Sequence, residues 1–185
     1  AVQQMSEGEL LQMEKARQLD INEEIYYEII RQKTASLIAS CCSVGASSAK
    51  ASDELVDVMG KFGEAVGMAF QIKDDLFDYG DDEIGKPVGI DIKEKKMTLP
   101  LIHSLSKASW LEKRRIISIV KNNSEDPKKV KQVIDFVKQS GGIDYANKKM
   151  KEYFDQAMGI LEGLPASDYK TSLVDLVQFT IDRKN

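Results

Sequence analysis

Apolar side chains recur with the period of an α-helix through the middle of the chain, between residues 51 and 82. At about 100° per residue, one face of this stretch collects most of the large apolar positions. They are Val58, Phe62, Ala65, Ala69, Ile72 and Leu76, with Val66, Phe70 and Phe77 widening the arc. The roughly opposite face carries Gln71, Asp74, Asp75 and Asp78, which fall within about 80° of one another. The pattern predicts a long helix over 51–82 that is mostly buried and has one acidic face.

The three carboxylates on this face need an explanation, because burial disfavours their charged form. Either they are protonated, or a cation at a cavity compensates their charge. The face contains no His or Cys, and oxygen ligands alone favour a hard ion, so Mg²⁺ is the natural candidate. The alternative is that Asp74, Asp75 and Asp78 form a solvated acidic stripe of the kind that is common on surface helices.

The same periodicity and its capping residues predict helices along the rest of the chain. A first helix covers 2–19, and Asn22 is a suitable N-cap for a second helix that runs to about residue 43. After a loop over 83–97, further helices cover about 98–107, 109–122, 126–140 and 143–162, and Ser167 caps a last one that reaches Arg183. We therefore expect an all-α protein, a helical bundle that forms a single domain over 1–185.

Composition and charge exclude some classes of function. The chain has 185 residues, 42% hydrophobic and 30% charged, with a net charge of -4, which suits one soluble domain with a substantial core. Lysines are interspersed with acidic residues, which argues against nucleic acid as a partner. No apolar run approaches the roughly 18 residues of a membrane span, and the N-terminus has no signal-peptide pattern, so we expect a cytoplasmic location. The chain opens within a helical pattern without Met, which suggests a piece of a longer protein.

The cysteines and the single histidine carry no recognisable catalytic pattern. Cys41 and Cys42 are adjacent, which suits neither a disulfide framework nor a zinc site, so we interpret them as small core residues of a reduced compartment. His103 has no nucleophile arranged around it and is interpreted as structural, with a general base as the alternative.

One long composite motif resembles a known family. The run FQIKDDLFDYGDDEIGKPVGIDIKEKKMTLPLI, over 70–102, resembles the second aspartate-rich region of the trans-isoprenyl diphosphate synthases, or polyprenyl synthetases. A Gln stands three residues before DDxxD, and Gly-Lys, Gly-x-Asp and Lys-x-Thr-Leu-Pro follow. The short spacing between Asp78 and Gly85-Lys86, and the ending FTIDRKN, are most similar to bacterial medium- and long-chain enzymes such as octaprenyl diphosphate synthases.

The resemblance implies a fold, a reaction and a set of site residues. The fold would be that of the isoprenoid synthases without its N-terminal helices, in a homodimer. The reaction would be Mg²⁺-dependent condensation of an allylic diphosphate with isopentenyl diphosphate. The implied metal ligands are Asp74, Asp75 and Asp78. The implied diphosphate ligands are Lys33, Lys86 and Lys96. The oxygens of Thr34 and Gln71 would face the carbocation, and these two residues together with Lys33 form the implied catalytic set. Asp91 would order the loop between Lys86 and Lys96, and Gln12, in SEGELLQ, is weakly implicated.

For Lys33, the position on a helix would by itself favour a solvated side chain.

The long helix contains three glycines, Gly60, Gly63 and Gly67, although glycine is unfavourable inside a helix. Close packing against another helix is the favoured explanation, and space for a growing isoprenoid chain is the alternative.

The chain also departs from the family. It matches only the C-terminal half to two-thirds of a complete synthase, and neither a first DDxxD nor a Gly-Gly-Lys-x-x-Arg motif is present. We therefore expect this stretch to be inactive by itself and to need the N-terminal half. Two alternatives stay open: a non-catalytic subunit of a heteromeric prenyl synthase, and a class I terpene synthase.

Overall fold

The computed structural model describes residues 1–19, 21–80 and 88–183, without the side chains of residues 17 and 18. In this part of the chain every regular element is a helix, so the all-α prediction is confirmed. The α-helices are α1 (Val2–Gln18), α2 (Glu23–Ile30), α3 (Ser36–Ser48), α4 (Asp53–Phe77), α5 (Ile90–Lys93), α6 (Leu99–Lys107), α7 (Trp110–Asn122), α8 (Pro127–Gln139), α9 (Gly142–Glu162) and α10 (Asp168–Asp182). A π-helical segment, Arg31–Ala35, joins α2 to α3 without a break.

The long helix α4 lies at the centre of the packing. It begins where the Ser52 side chain accepts a hydrogen bond from the Leu55 amide. Its predicted apolar face is buried against α9 and α10, where Phe62, Ala65 and Val66 share a cluster with Phe154, Ala157, Leu161 and Val177.

The predicted end of α4, at residue 82, is wrong, because the helix ends at Phe77. The carbonyl of Asp78 accepts the Gly89 amide at 3.0 Å, so it is already bonded to a residue of the following loop. The amides of Tyr79 and Gly80 bond back to Leu76 and Phe77 in a tighter turn.

The helix over α2, the π segment and α3 is longer than predicted. Asn22 is its N-cap, as expected, and accepts the Ile25 amide at 2.9 Å. The helix continues to Ser48 rather than to residue 43, and the π segment in its middle has no signature in the sequence pattern.

The three glycines of α4 bring this helix against α3 and against the end of the π segment, which confirms close helix packing as their reason. A Cβ at Gly60 would lie 2.6 Å from Ser43 Oγ, one at Gly63 2.7 Å from the Ile38 carbonyl oxygen, and one at Gly67 2.5 Å from Ala35 Cα. At Gly63 and Gly67 the nearest neighbouring atoms belong to the backbone, so there is no room for a side chain, whereas at Gly60 the neighbour is a serine hydroxyl.

The prediction for the cysteines was wrong in part: Cys41 is exposed, Cys42 is half-buried, and both thiols are free. The part of α3 that meets the glycines of α4 is lined by Ala39 and Ser43 instead.

The C-terminal helices match their predicted ranges to within about two residues. Side chains of Ser109, Asp126 and Ser167 accept amide hydrogen bonds at the starts of α7, α8 and α10. None of the helices in the described ranges is both long and apolar enough to cross a membrane.

The glycine contacts generate a stability prediction. Gly67→Ala should lower the free energy of unfolding by about 1–3 kcal/mol, because the new methyl group overlaps Ala35 across the helix pair. Gly45→Ala in α3, where a Cβ meets nothing within 4 Å, is the matched control and should stabilise the protein by up to about 1 kcal/mol. Urea denaturation of both variants checks this. Equal effects of the two substitutions would show that helix propensity, not the close approach, explains the glycine.

Candidate functional site

Four of the predicted site residues line one small cavity. It has a volume of about 60 Å³ and lies between α1, α2, the π segment, α4 and the segment over 96–98. Its polar lining consists of Gln12, Tyr26, Lys33, Gln71, Asp75, Lys96 and Thr98, and its apolar lining of Ile21, Ile29, Ile30 and Met97. The cavity therefore joins residues that are up to 86 positions apart in the sequence, from 12 to 98.

A chain of hydrogen bonds crosses from the π segment to α4 beside this cavity. The Thr34 hydroxyl donates to Gln71 Oε1 at 2.8 Å, and Gln71 Nε2 donates to Asp75 Oδ1 at 3.2 Å. Asp75 Oδ2 accepts from the buried Tyr26 hydroxyl at 2.8 Å. The network fixes the orientation of the Gln71 amide, with its oxygen toward Thr34 and its nitrogen toward Asp75.

Burial sets the charge state of Asp75. Desolvation raises its pKa from 3.8 to about 7, although the hydrogen bonds from Tyr26 and Gln71 act in the opposite direction. Burial also raises the pKa of Tyr26 well above 10.0, and the charge of Asp75 adds to that. The phenol therefore acts as a hydrogen-bond donor to the carboxylate.

Asp78 is buried at the C-terminal end of α4, and only one of its two carboxylate oxygens has a hydrogen-bond partner in the described structure. Its Oδ1 accepts the Asp91 amide at 3.2 Å, whereas its buried Oδ2 has no hydrogen-bond partner among the described residues. Burial first, and then the nearby charge of Asp91, raise the pKa of Asp78 from 3.8 to about 6. An unsatisfied buried carboxylate oxygen is costly, so this atom is where a donor or a cation would be most favourable.

Asp74 faces a different partner. Its Oδ1 forms an ion pair with the guanidinium of Arg183, at the end of α10. Arg183 also lies over the Phe70 ring, at 4.1 Å from the centroid, so the pair is packed as well as charged.

The three carboxylates of the acidic face thus point to three different partners: Arg183, Tyr26 and the Asp91 amide. Within the described residues, no three side chains of the types that ligate metals come close enough to form a metal site. The metal role of Asp74, Asp75 and Asp78 stays a prediction.

Lys33 lies at the wall of the cavity and not simply in solvent. Its ammonium donates to Gln12 Oε1 at 2.7 Å and forms an ion pair with Glu9 at 2.7 Å. Lys33 thereby contacts α1, while its neighbour Thr34 contacts α4. Adjacent residues reach different helices here because both lie in the π segment, onto which α1 closes at Gly8, where a Cβ would lie 2.8 Å from the Lys33 amide nitrogen.

Lys96 also lines the cavity and is paired with carboxylates outside the DDxxD motif. Its ammonium lies 3.1 Å from Asp91 and 2.6 Å from Glu94. Burial lowers its pKa, but the bonds to these two carboxylates outweigh that and hold the pKa above 10.5.

Asp91 connects the Lys96 side of this loop to the end of α4, because its carboxylate pairs with Lys96 and its amide donates to Asp78 Oδ1. On that side the ordering role predicted for Asp91 agrees with the structure. Lys95, the residue before Lys96, is exposed, and Lys86 lies outside the described residues.

Two further observations concern Tyr26 and His103, which the sequence did not place in the site. Sequence reasoning did not assign Tyr26 to the site, yet its hydroxyl bonds to Asp75. A tyrosine on the buried face of a helix is the signal that could have identified it. His103 stacks on Tyr145, with ring centroids 3.8 Å apart, and burial lowers its pKa, which agrees with a structural role.

Comparison with known proteins identifies the family. A sequence model described as polyprenyl synthetase matches residues 1–137, which is most of the chain. The chain belongs to the polyprenyl synthetase family. The resemblance of the 70–102 run is therefore confirmed, and so is the isoprenoid synthase fold, which solved structures of the family share.

Relatives within the polyprenyl synthetase family cover nearly all of this chain. A short chain isoprenyl diphosphate synthase from Methanothermobacter thermautotrophicus is 37% identical over 181 residues, which are 97% of this chain and 55% of the relative. The octaprenyl diphosphate synthase of Escherichia coli is 30% identical over 185 residues, 99% of this chain and 57% of the relative. A decaprenyl diphosphate synthase structure from Rhodobacter capsulatus superposes with a TM-score of 0.90 at 30% identity, over 98% of this chain and 57% of that one.

The chain spans about half the length of the curated relatives it matches. The products named for these relatives run from short-chain to nonaprenyl diphosphates, so the expected product class stays a prediction.

The buried carboxylate of Asp75 generates a prediction on pH. Its pKa is 3.8 in the unfolded chain and about 7 in the folded one, so between these values the folded state binds a proton that the unfolded state lacks. The free energy of unfolding therefore falls as the pH rises from about 4 to about 7, by roughly 1.4 kcal/mol per pKa unit of the shift. Asp75→Asn should flatten this slope in urea titrations between pH 5 and 8.

The control for this prediction is Asp57→Asn, an exposed aspartate earlier in α4, which should leave the slope unchanged. An unaltered slope in Asp75→Asn would contradict the assignment of a protonated, buried carboxyl at this position.

Proposed function

We propose that this chain supplies the diphosphate-binding part of a trans-polyprenyl diphosphate synthase, which condenses an allylic diphosphate with isopentenyl diphosphate. The observation that carries the proposal is the single cavity at which Lys33, Gln71, Asp75 and Lys96 meet. Membership of the polyprenyl synthetase family, and the prenyl diphosphate synthase function for which the relatives are named, support the same reaction.

Positive and negative side chains have separate roles in this proposal. Lys33 and Lys96 approach the cavity from different elements and bind the two ends of the diphosphate, with Lys86 as a third ligand from the loop. Ammonium groups on flexible stems suit this role, because their existing bonds to Glu9, Asp91 and Glu94 can exchange for bonds to phosphate oxygens.

Oxygen dipoles at the cavity stabilise the developing cation. Gln71 Oε1 and Thr34 Oγ1 are 2.8 Å apart and held on rigid helices, and neither group is a strong nucleophile. Such preorganised dipoles lower the barrier without forming a bond to the carbocation. The hydrogen bonds of Asp75 and Tyr26 keep the Gln71 amide in place for this purpose.

The donor set fits Mg²⁺ in its chemistry. Asp74, Asp75 and Asp78 offer only oxygen, and Asp78 Oδ2 is a buried carboxylate oxygen without a partner in the described part of the protein. Bound Mg²⁺ would neutralise the diphosphate as a leaving group. Asp74 would have to exchange its ion pair with Arg183 to take part.

The remaining groups of the site would come from the half of the relatives that this chain does not cover. The proposal therefore includes a longer protein, a homodimer in the cytoplasm, and inactivity of this stretch by itself. A relative named heptaprenyl diphosphate synthase component 2, from Geobacillus stearothermophilus and 32% identical, favours one alternative, a subunit of a heteromeric synthase.

A binding experiment on the chain as it stands tests the two lysines. Lys96→Gln should weaken binding of farnesyl diphosphate in the presence of Mg²⁺ by about tenfold, because one charge-assisted contact is lost, and Lys96→Arg should recover part of it. Lys33→Gln should act in the same way. Isothermal titration calorimetry measures the affinities, and Lys95→Gln, which changes the exposed neighbour, is the matched control. If the Lys95 and Lys96 variants bind farnesyl diphosphate with equal affinity, Lys96 does not contact the diphosphate and serves only to order the loop.

The function itself is tested by restoring the missing half. A chimera that places the N-terminal half of the M. thermautotrophicus relative before this chain should elongate farnesyl diphosphate with labelled isopentenyl diphosphate, whereas the chain alone should not. In the chimera, Asp74→Ala should slow turnover by about a hundredfold or more while the helical circular dichroism is unchanged. Elongation by the chain alone, or near-normal turnover of the Asp74→Ala chimera, would overturn the assignment.

A further inference from the structure

The start of α7 exposes two large apolar side chains next to each other. Trp110 is 68% exposed and Leu111 is 72% exposed, at the first two positions of the helix after its N-cap Ser109. Most large side chains of this type are at least half-buried in the core or at an interface. The fold does not need these two positions, because α7 packs through Ile116, Ile119 and Val120.

The exposed side of α7 is basic. On a helical wheel, the side away from the buried residues carries Trp110, Leu111, Arg114, Arg115 and Lys121, which we call the basic Trp–Leu face. Lys107 and Lys113 flank it, and the guanidinium of Arg114 lies over the Trp110 ring at 5.4 Å.

The charge of this region contrasts with that of the chain. Residues 107–121 contain five basic residues and one acidic residue, a net charge of +4 in a chain of net charge -4. Across the described ranges, none of these five basic side chains forms an ion pair. The even mixture of charges read along the sequence therefore conceals a local basic surface.

We infer that the basic Trp–Leu face docks the protein on an anionic lipid bilayer. Tryptophan is favoured at the level of lipid headgroups, where its ring is partly in the apolar layer, and arginine and lysine are attracted to anionic headgroups. The face combines both features within three helical turns. A second copy of the chain is a poor occupant, because two faces of the same positive charge repel each other.

The inference does not depend on the proposed function, although a lipid diphosphate product would give the docking a purpose. Binding of the chain to vesicles can be measured without any substrate. A failed elongation assay would leave the docking result intact, and a failed docking assay would leave the proposed synthase intact.

The protein carries its own reporter for the test, because Trp110 is its single tryptophan. Vesicles of phosphatidylcholine with phosphatidylglycerol should shift the fluorescence of Trp110 to shorter wavelength, and brominated lipid should quench it. Vesicles of phosphatidylcholine alone should do neither. Raising the salt concentration should reverse the shift, since the Debye length falls from about 10 Å at 0.1 M to about 3 Å at 1 M.

Variants separate the apolar and the basic contributions. Arg114→Gln with Arg115→Gln should lower the vesicle partition coefficient about twenty-five-fold, at about fivefold for each charge removed. Trp110→Ser with Leu111→Ser should reduce co-sedimentation to the level of neutral vesicles. Tyr169→Ser is the matched control, because Tyr169 is 84% exposed on α10 but stands between Asp168 and Lys170 and not in a basic cluster, and it should change nothing.

The outcomes decide the inference directly. A salt-sensitive blue shift that the Arg variant weakens and the Tyr169 variant retains supports the lipid surface. No response to anionic vesicles overturns it, as does an equal response to neutral vesicles or to soluble polyglutamate. A blue shift that grows with protein concentration in the absence of lipid would assign the face to contact between copies and would likewise overturn the proposal.

Discussion

The close approach of α4 to the helix before it is the constraint on which the rest of the site depends. Gly67 allows the α4 backbone to contact Ala35, at the end of the π segment. Gln71 lies one turn further along α4 and Thr34 lies next to Ala35, so this contact brings the two side chains within 2.8 Å. Gly67 therefore affects the site indirectly, because the close helix approach that it allows determines the distance between the Thr34 and Gln71 side chains.

The same packing determines how the carboxylates are held. A helix this deeply embedded places Asp75 and Asp78 out of water, and burial is the first cause of both raised pKa values. Asp75 is balanced by two hydrogen bonds, whereas Asp78 keeps one buried oxygen without a partner in the described structure. The two residues thus differ in their hydrogen bonding. Both oxygens of Asp75 accept a hydrogen bond, whereas one oxygen of Asp78 accepts none and is the atom at which a positive charge would be most favourable.

Much of this could be predicted from the sequence, because periodicity and capping are local properties. Asn22 and Ser167 cap their helices as predicted, and the glycines indicated a close helix contact before its partner was known. The end of α4 was missed because it depends on the Gly89 amide, eleven residues after the Asp78 carbonyl that accepts it. The direction of Asp74 was missed for the same reason, since Arg183 is 109 residues away. A helical wheel gives the side of a helix, but not the partner that a side chain meets there.

The charges around the cavity explain why a diphosphate would need more than the two lysines. Lys33 and Lys96 are each already paired with carboxylates, namely Glu9 for the first and Asp91 and Glu94 for the second. With Asp75 and Asp78 nearby, acidic groups outnumber the lysines even before an anionic ligand enters. A diphosphate placed here alone would add repulsion that the lysines could relieve only by leaving their present partners. A divalent cation removes this conflict, because it binds carboxylate and phosphate oxygens together and lets the acidic face attract the ligand that it would otherwise repel.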